Sequence, residues 1–178
     1  MDCHKKTIFC FFVLSIFVFC QPGFAQTPKE LNAVYQCFPC GADCDSITYT
    51  KPGKCEHCQM DLVKKSTVVF KNIPASDICG FIENNPNAIL LDVRTKNEFE
   101  GKAEPNFGSL KNAINIPIQE LEKRWTELEA YKDKPIVVFC SHSHRSPRAS
   151  YLLSQKGFTN ITNMSGGMSQ VKNNSCKK

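Results

Sequence analysis

The stretch Pro135–Ser150, "PIVVFCSHSHRSPRAS", decides how this chain folds. Four apolar residues run directly into Cys140, and two histidines and an arginine follow before a Ser-Pro pair. A short continuous apolar run is typical of a strand that is buried on both faces of a sheet. The pair suits a helix start, with Ser146 as N-cap and Pro147 at the first helical position. The pattern therefore predicts a strand, a loop that carries a thiol, and a helix.

The loop Cys140–Arg145 lies between the end of a predicted strand and the start of a predicted helix. Unpaired N–H groups and the helix dipole favour anions there. A thiol in that field ionises more readily, and Arg145 adds a fixed positive charge. We therefore predict that Cys140 is a thiolate that attacks an anionic substrate or accepts a group from it. The alternative is a buried cysteine at a strand end, a common position for this residue.

The region 66–176 alternates apolar runs with segments of helical spacing. The strand-like runs are "STVVF", "AILLDV", "INIP", "PIVVF" and "NITNM", and the helix-like segments are "ASDICGFIENN", "IQELEKRWTELEAY" and "SPRASYLLSQKGF". Buried strands that alternate with amphipathic helices indicate a parallel sheet covered on both faces. We therefore predict an α/β domain over 66–176, with a parallel five-stranded sheet flanked by helices. Ligands bind such folds at the carboxyl ends of the strands, where Cys140 lies.

Residues 33–65 form a small cysteine-rich segment. It holds two Cys-x-x-Cys pairs separated by fourteen residues, Cys37/Cys40 and Cys55/Cys58. Four thiolates that converge on one point suit a tetrahedral metal site. The segment has too few apolar residues for a core, so a metal or disulfides must hold it together. We predict a metal-ribbon module with these four ligands, and disulfides are the alternative. We expect the other soft side chains to be structural or exposed, namely Cys44, His57 and Met60.

The N-terminus has the three-part layout of a secretory signal. "MDCHKK" is basic, "TIFCFFVLSIFVFC" is apolar but short for a membrane span, and "GFAQ" offers a cleavage position after Ala25. We predict a signal peptide over 1–25, a linker over 26–32, and a periplasmic or secreted protein without a stable membrane span after cleavage. A lipid anchor on Cys20 is less favoured, because bulky Phe19 precedes it.

The net charge of +5 comes from scattered basic residues. Nucleic-acid binding needs a basic stripe or an aromatic platform, and the sequence has neither. We therefore expect no nucleic-acid partner.

Residues 66–170 resemble the rhodanese (sulfurtransferase) family in four successive motifs. They are Leu91-Asp92-Val93-Arg94 with Glu98-Phe99, Gly108 to Pro117, Cys140-x4-Arg145-Ser146, and Gly157-Phe158 with Ser165-Gly166-Gly167. The resemblance implies that Cys140 is the nucleophile and carries a persulfide sulfur, with Arg145 as the second catalytic residue. It also implies a set of residues that bind the substrate or shape its pocket, namely Ser141, His142, Ser143, His144, Ser146, Asp92 and Arg94.

Two positions of the loop depart from the family pattern, which often reads Cys-Arg-x-Gly-x-Arg. Ser141 replaces an arginine, so the loop lacks a charge that could hold thiosulfate. Ser143 replaces a glycine, whose backbone adopts positive φ at little cost. His142 and His144 could restore positive charge below a pH of about 6.5, or bind a metal. Activity toward thiosulfate is therefore expected to be weak.

The cysteine-rich segment resembles the short heavy-metal-binding domain attached to bacterial copper and heavy-metal efflux proteins. The matching residues are Tyr35-x-Cys37 and Lys51-Pro52-Gly53-Lys54-Cys55-x-x-Cys58-Gln59-Met60-x-Leu62. Cys40 stands where that family carries a histidine, which makes the site softer and favours zinc or monovalent copper. We expect zinc or copper in this module and no cofactor for sulfur transfer.

Two functions therefore remain open. The first is an exported sulfurtransferase with a persulfide on Cys140, a small sulfur-containing anion as substrate, and a thiol or a protein as sulfur acceptor. The second is a non-catalytic periplasmic metal-handling or sensing protein that uses a rhodanese-like fold. A cysteine phosphatase is disfavoured, because such enzymes carry a loop one residue longer, Cys-x5-Arg.

Overall fold

The computed structural model describes residues 32–178, and every element below belongs to that range. The strands are β1 (Tyr35–Cys37), β2 (Thr48–Tyr49), β3 (Leu62–Lys64), β4 (Lys71–Pro74), β5 (Ile89–Asp92), β6 (Ile114–Asn115), β7 (Ile136–Phe139) and β8 (Ile161–Ser165). The α-helices are α1 (Ile78–Asn84), α2 (Lys96–Phe99), α3 (Ile118–Arg124) and α4 (Ser146–Gln155). The predicted signal peptide lies outside the described residues, as does nearly all of the predicted linker.

Strands β4 to β8 form one sheet with the order β4-β8-β7-β5-β6, and every pairing in it is parallel. All four residues of the central strand β7 are buried. Their side chains alternate between two apolar clusters: Ile136 and Val138 pack on one face, and Val137 and Phe139 pack on the other. The predicted five-stranded α/β fold is therefore confirmed. The carboxyl end of β7 lies at the candidate site.

Three predicted element boundaries are wrong. The run "STVVF" is not a strand; the edge strand is β4, which pairs with β8 from Lys71 onward. Strand β4 lies at the edge of the sheet and pairs only with β8. The β-branched run precedes β4, and its Val69 is 58% exposed. The helix predicted over 118–131 is α only to Arg124 and continues as a 3₁₀ helix over Trp125–Tyr131. Helix α4 includes Ser146, which is therefore not its N-cap.

The cysteine-rich module is a three-stranded antiparallel sheet with the order β2-β1-β3. Its buried centre consists of the thiols of Cys37, Cys44 and Cys55, with a few partly buried apolar side chains around them. The module packs on α4, where the rings of Phe38 and Tyr151 meet edge to face with centroids 5.0 Å apart. Because the module buries so few apolar side chains, a metal bound by its thiols, or disulfides between them, must stabilise it.

A disulfide between Cys79 and Cys176 joins α1 to the C-terminal tail. The tail also pairs with the segment after α2, because Lys111 N–H donates to the Cys176 carbonyl at 2.9 Å and Lys178 N–H donates to the Ser109 carbonyl at 2.9 Å. Among residues 32–178, no helix is long and apolar enough to cross a membrane.

Candidate functional site

Cys140 follows β7 directly, at the carboxyl edge of the sheet, and is 1% exposed. Its carbonyl accepts a hydrogen bond from Met168 N–H at 2.8 Å, and the next carbonyl, of Ser141, accepts from Ser169 N–H at 3.0 Å. These bonds tie the start of the loop to the segment after β8. The thiol therefore occupies a fixed position near the N-terminus of α4, as the sequence predicts.

Hydrogen-bond donors surround the Cys140 sulfur. Burial opposes ionisation and is the largest single influence on this thiol. The Ser146 hydroxyl, 3.5 Å from Sγ, and the backbone N–H groups of Ser146, Arg145 and His142 together outweigh it. The pKa of Cys140 is therefore lowered from its usual value. Ser146 is the first residue of α4 and serves the site through this contact.

Glu98 binds Arg145, a pairing that sequence reasoning missed. The two carboxylate oxygens each accept a hydrogen bond from the guanidinium at 2.7 Å, and Ser141 Oγ donates to the same carboxylate at 2.8 Å. The guanidinium is the main cause that holds the pKa of Glu98 well below its usual range. The place of Glu98 in the first rhodanese-like motif is the sequence signal that could have identified it as a residue of the site. Arg145 therefore fixes the loop against α2, and a carboxylate compensates its charge.

Ser143 adopts a left-handed backbone conformation, with φ of 62°. This conformation costs a residue with a Cβ about 1–2 kcal/mol, so the loop keeps a strained residue where the family has glycine. Ser143 is 9% exposed, and its Oγ lies 3.5 Å from the side-chain nitrogen of Asn163. The two histidines of the loop are exposed, and the His142 ring meets the Phe107 ring edge-on at 5.2 Å.

Asp92 and Arg94 form a buried ion pair, with exposures of 0% and 1%. Arg94 donates to the carboxylate through Nε and through a terminal nitrogen, the latter at 2.7 Å, and also to the Gly108 carbonyl at 2.7 Å. Ser109 Oγ donates to the same carboxylate at 3.1 Å. The pair thus connects the end of β5 to the second motif and supports the loop that leads to Glu98. Both charged groups are shielded from solvent, so the pair contributes to the pocket by holding these segments in position.

Four cysteine sulfurs of the module lie within 4.8 Å of one another: Cys37, Cys40, Cys44 and Cys58. Three of the predicted ligands are in this group, and Cys44 is the fourth. Sulfur separations of 3.2, 3.9 and 4.0 Å occur within it. A tetrahedral zinc with bonds of about 2.3 Å needs sulfurs about 3.8 Å apart, so the cluster fits such a metal.

Two thiols of the cluster disfavour the charged form in the absence of a cation. Burial is the main cause that raises the pKa of Cys37 above its usual range and the pKa of Cys44 to about 12. A bound metal would displace these protons. The cysteines of the module are free thiols in this structure, so the disulfide alternative is not the arrangement observed.

Cys55, the remaining predicted ligand, lies beside this group with a different set of contacts. The Tyr49 hydroxyl lies 3.8 Å from its sulfur. Burial opposes ionisation, but the backbone N–H groups of Cys58 and His57 help lower the pKa of Cys55 to about 6. The structure therefore offers four mutually close thiols, with Cys44 in the place predicted for Cys55, and a fifth thiol beside them.

The fold and the thiol loop define a rhodanese-like protein. The family model for the rhodanese-like domain matches residues 81–174, more than half of the chain, and the chain belongs to this family. The model for the heavy metal binding domain matches residues 34–65. The predicted order of a metal-binding module followed by a rhodanese-like domain is therefore confirmed.

The relatives share the rhodanese-like part. An uncharacterized protein, YqhL, from Bacillus subtilis is 42% identical over 80 residues, which cover 45% of this chain and 57% of that protein. A tRNA uridine(34) hydroxylase from Escherichia coli is 30% identical over 104 residues, which cover 56% of this chain but 28% of the enzyme. The chain therefore spans between about a quarter and three fifths of these relatives.

A solved structure from Staphylococcus saprophyticus supports the same architecture. It is 20% identical, with a TM-score of 0.50, and the match covers 61% of this chain and all of that one. At this identity the likeness shows the fold alone.

Proposed function

We propose that this protein is an exported sulfurtransferase that carries a persulfide on Cys140. The observation that carries the proposal is the environment of the Cys140 sulfur. Although burial opposes ionisation, the Ser146 hydroxyl and the backbone N–H groups of Ser146, Arg145 and His142 lower its pKa. Such an arrangement favours a thiolate and stabilises negative charge on a sulfur bonded to it. Membership of the rhodanese-like family supports the same chemistry.

The reaction has two displacement steps. The Cys140 thiolate attacks the outer sulfur of thiosulfate, the donor's S–S bond breaks, and sulfite leaves with the electron pair. With a persulfide donor the same attack on the outer sulfur expels the donor's thiolate. The loop N–H groups then hold the terminal sulfur of the persulfide. A thiolate or cyanide attacks that sulfur in the second step, and the Cys140 thiolate leaves. Arg145 and Glu98 keep the loop in place through both steps.

Recognition of the donor depends mainly on the backbone. Glu98 compensates the charge of Arg145, and Ser141 brings no charge of its own. A donor anion is therefore held by N–H groups and the α4 dipole, which supports the expectation of weak activity toward thiosulfate.

The module would hold one zinc or monovalent copper ion through Cys37, Cys40, Cys44 and Cys58, with Cys55 alongside. In this proposal the metal stabilises the module and binds none of the atoms that react in sulfur transfer. Export is supported by the signal-like first 25 residues and by the Cys79–Cys176 disulfide, since disulfides persist in oxidising compartments.

The decisive test is the intact mass of the mature protein after treatment with thiosulfate. We expect one added sulfur on Cys140, removed by cyanide, and no such sulfur in Cys140→Ser. Cys55→Ser is the matched control, because it removes a free thiol with a lowered pKa outside the loop. Persulfide formation in Cys140→Ser would contradict the assignment. A wild-type protein that binds metal but takes no sulfur from any sulfane donor would favour the metal-handling alternative.

A further inference from the structure

Gly41 of the cysteine module lies directly against the thiol loop. A Cβ built on Gly41 would overlap the backbone carbonyl oxygen of Ser143 and would lie 3.3 Å from the Pro147 ring. Gly41 has φ of 76°, a conformation that glycine adopts at little cost. The contact therefore joins one residue of the module to both the loop and the first turn of α4.

The opposite side of the loop meets a second glycine. A Cβ on Gly167, which follows β8, would overlap the backbone of Ser141 and would lie 2.6 Å from the His142 nitrogen. The loop is thus held between Gly167 of its own domain and Gly41 of the module. Gly167 belongs to the closing rhodanese-like motif, whereas Gly41 lies outside the residues that match that family.

A turn that contains two members of the four-sulfur cluster holds Gly41 in place. Gly41 N–H donates to the Asp45 carboxylate at 2.7 Å, and Cys40 N–H donates to the same group at 3.0 Å. Cys40 and Cys44, the neighbours of Gly41 and Asp45, are both members of the four-sulfur cluster. The turn that carries Gly41 therefore depends on the arrangement of the sulfurs.

Ser143 needs such support. Its left-handed backbone conformation is strained, and a change of its φ and ψ would turn the neighbouring peptide groups away from the Cys140 sulfur. We infer that Gly41 is a positioning residue for sulfur transfer: it holds Ser143 in the left-handed conformation and so keeps the N–H donors aimed at Cys140. This inference rests on the proposed function for its biological meaning, but the contact itself can be tested without sulfur transfer.

The charged groups around Cys140 determine how the pH dependence of its reactivity is interpreted. Arg145 interacts with the thiol as a cation, and Glu98 compensates its charge. His142 and His144 are the other titratable groups on the loop, and Asp45 of the module faces Ser143 across the cleft that both line. Loss of the Gly41 contact leaves all five groups in the chain, so a changed pH profile would report the N–H donors rather than a lost charge.

The test is the rate of alkylation of Cys140 by iodoacetamide between pH 5 and 10, read on the Cys140 peptide by mass spectrometry. Gly41→Ala should raise the midpoint of this profile by about one pH unit and slow alkylation by up to about tenfold at pH values below the wild-type midpoint. Gly157→Ala is the matched control, since Gly157 also has positive φ but no described atom lies within 4 Å of its Cβ. It should keep the wild-type midpoint.

Rescue separates positioning from general damage. Ser143→Gly accepts the left-handed conformation without support, so Gly41→Ala/Ser143→Gly should return to within about twofold of the Ser143→Gly rate. Removal of the metal by a chelator should shift the wild-type midpoint upward and leave that of Ser143→Gly in place. A wild-type profile in Gly41→Ala, or no rescue by Ser143→Gly, would overturn the inference. A wild type that shows the shifts but forms no persulfide would refute the proposed function and leave this inference standing.

Discussion

Loss of the Cys79–Cys176 disulfide gives the strongest stability prediction. The bond closes a loop with a sequence separation of 97 residues and joins α1 to the tail. For a loop of about 100 residues, the chain-entropy model assigns about 4.7 kcal/mol at 25 °C to the restriction of the unfolded state. We therefore expect Cys79→Ala/Cys176→Ala to lose up to about 4.7 kcal/mol of the free energy of unfolding, or roughly 10–20 °C in Tm for a chain of this size.

The assay is equilibrium urea unfolding of the mature protein, followed by tryptophan fluorescence under non-reducing conditions. Each single alanine variant should lose about as much as the double variant, because either change removes the whole bond. Alanine keeps an apolar side chain at two positions that are 2% and 8% exposed. The m-value should rise in the variants, since the unfolded chain without the bond exposes more surface.

Two results would refute this reasoning. Single variants that differ from the double variant by more than about 1 kcal/mol would show that burial of the individual thiols, and not the bond, sets the loss. Equal stability of the wild type and the double variant, with the bond verified by mass, would show that the tail contributes no restraint. The tail contacts the Ser109 carbonyl, and the Ser109 hydroxyl donates to the Asp92 carboxylate.

The remaining predictions concern the metal cluster and the two ion pairs. Cys44→Ser should reduce zinc affinity more than Cys55→Ser, measured by competition with a chromophoric chelator, because Cys44 is one of the four mutually close sulfurs. Glu98→Gln should flatten the acid dependence of stability between pH 7 and pH 3: the folded-state pKa of Glu98 is lowered, so its ion pair stabilises the fold above the usual value of 4.5 and loses this effect as the pH falls. Asp92→Asn should cost about 3–5 kcal/mol in urea unfolding, because it leaves Arg94 buried without its partner.

The parts of the fold that the sequence predicts correctly are those that depend on local patterns. Apolar runs such as Ile136–Phe139 identify buried strands, and their alternation with helical segments specifies a parallel sheet. Cys140 could be placed at the carboxyl edge for the same reason. The run "STVVF" misleads, because β-propensity is high at Val68 and Val69 but the edge of the sheet takes Lys71–Pro74 instead.

The contacts that complete the site join residues far apart in sequence. Glu98 and Arg145 are separated by 47 positions, and no local pattern pairs them. Cys44 lies outside both Cys-x-x-Cys pairs, yet the turn over Asp43–Ser46 brings its sulfur to Cys40. Spacing therefore indicates that a thiol cluster exists without identifying each member, because the path of the chain between the pairs decides which sulfurs converge.

The free thiols and the disulfide of this chain require opposite redox conditions. Within residues 32–178, six cysteines are free and two form a disulfide. Under the proposed export, an oxidising compartment stabilises the Cys79–Cys176 bond but would also oxidise exposed thiols and bring them into exchange with a persulfide on Cys140. Burial protects Cys140, which is 1% exposed, whereas Cys40 and Cys58 are only partly buried. A metal on the module would keep these two thiols from oxidation while it holds Gly41 against the loop, so one ligand set would serve both the stability of the module and the reactivity of Cys140.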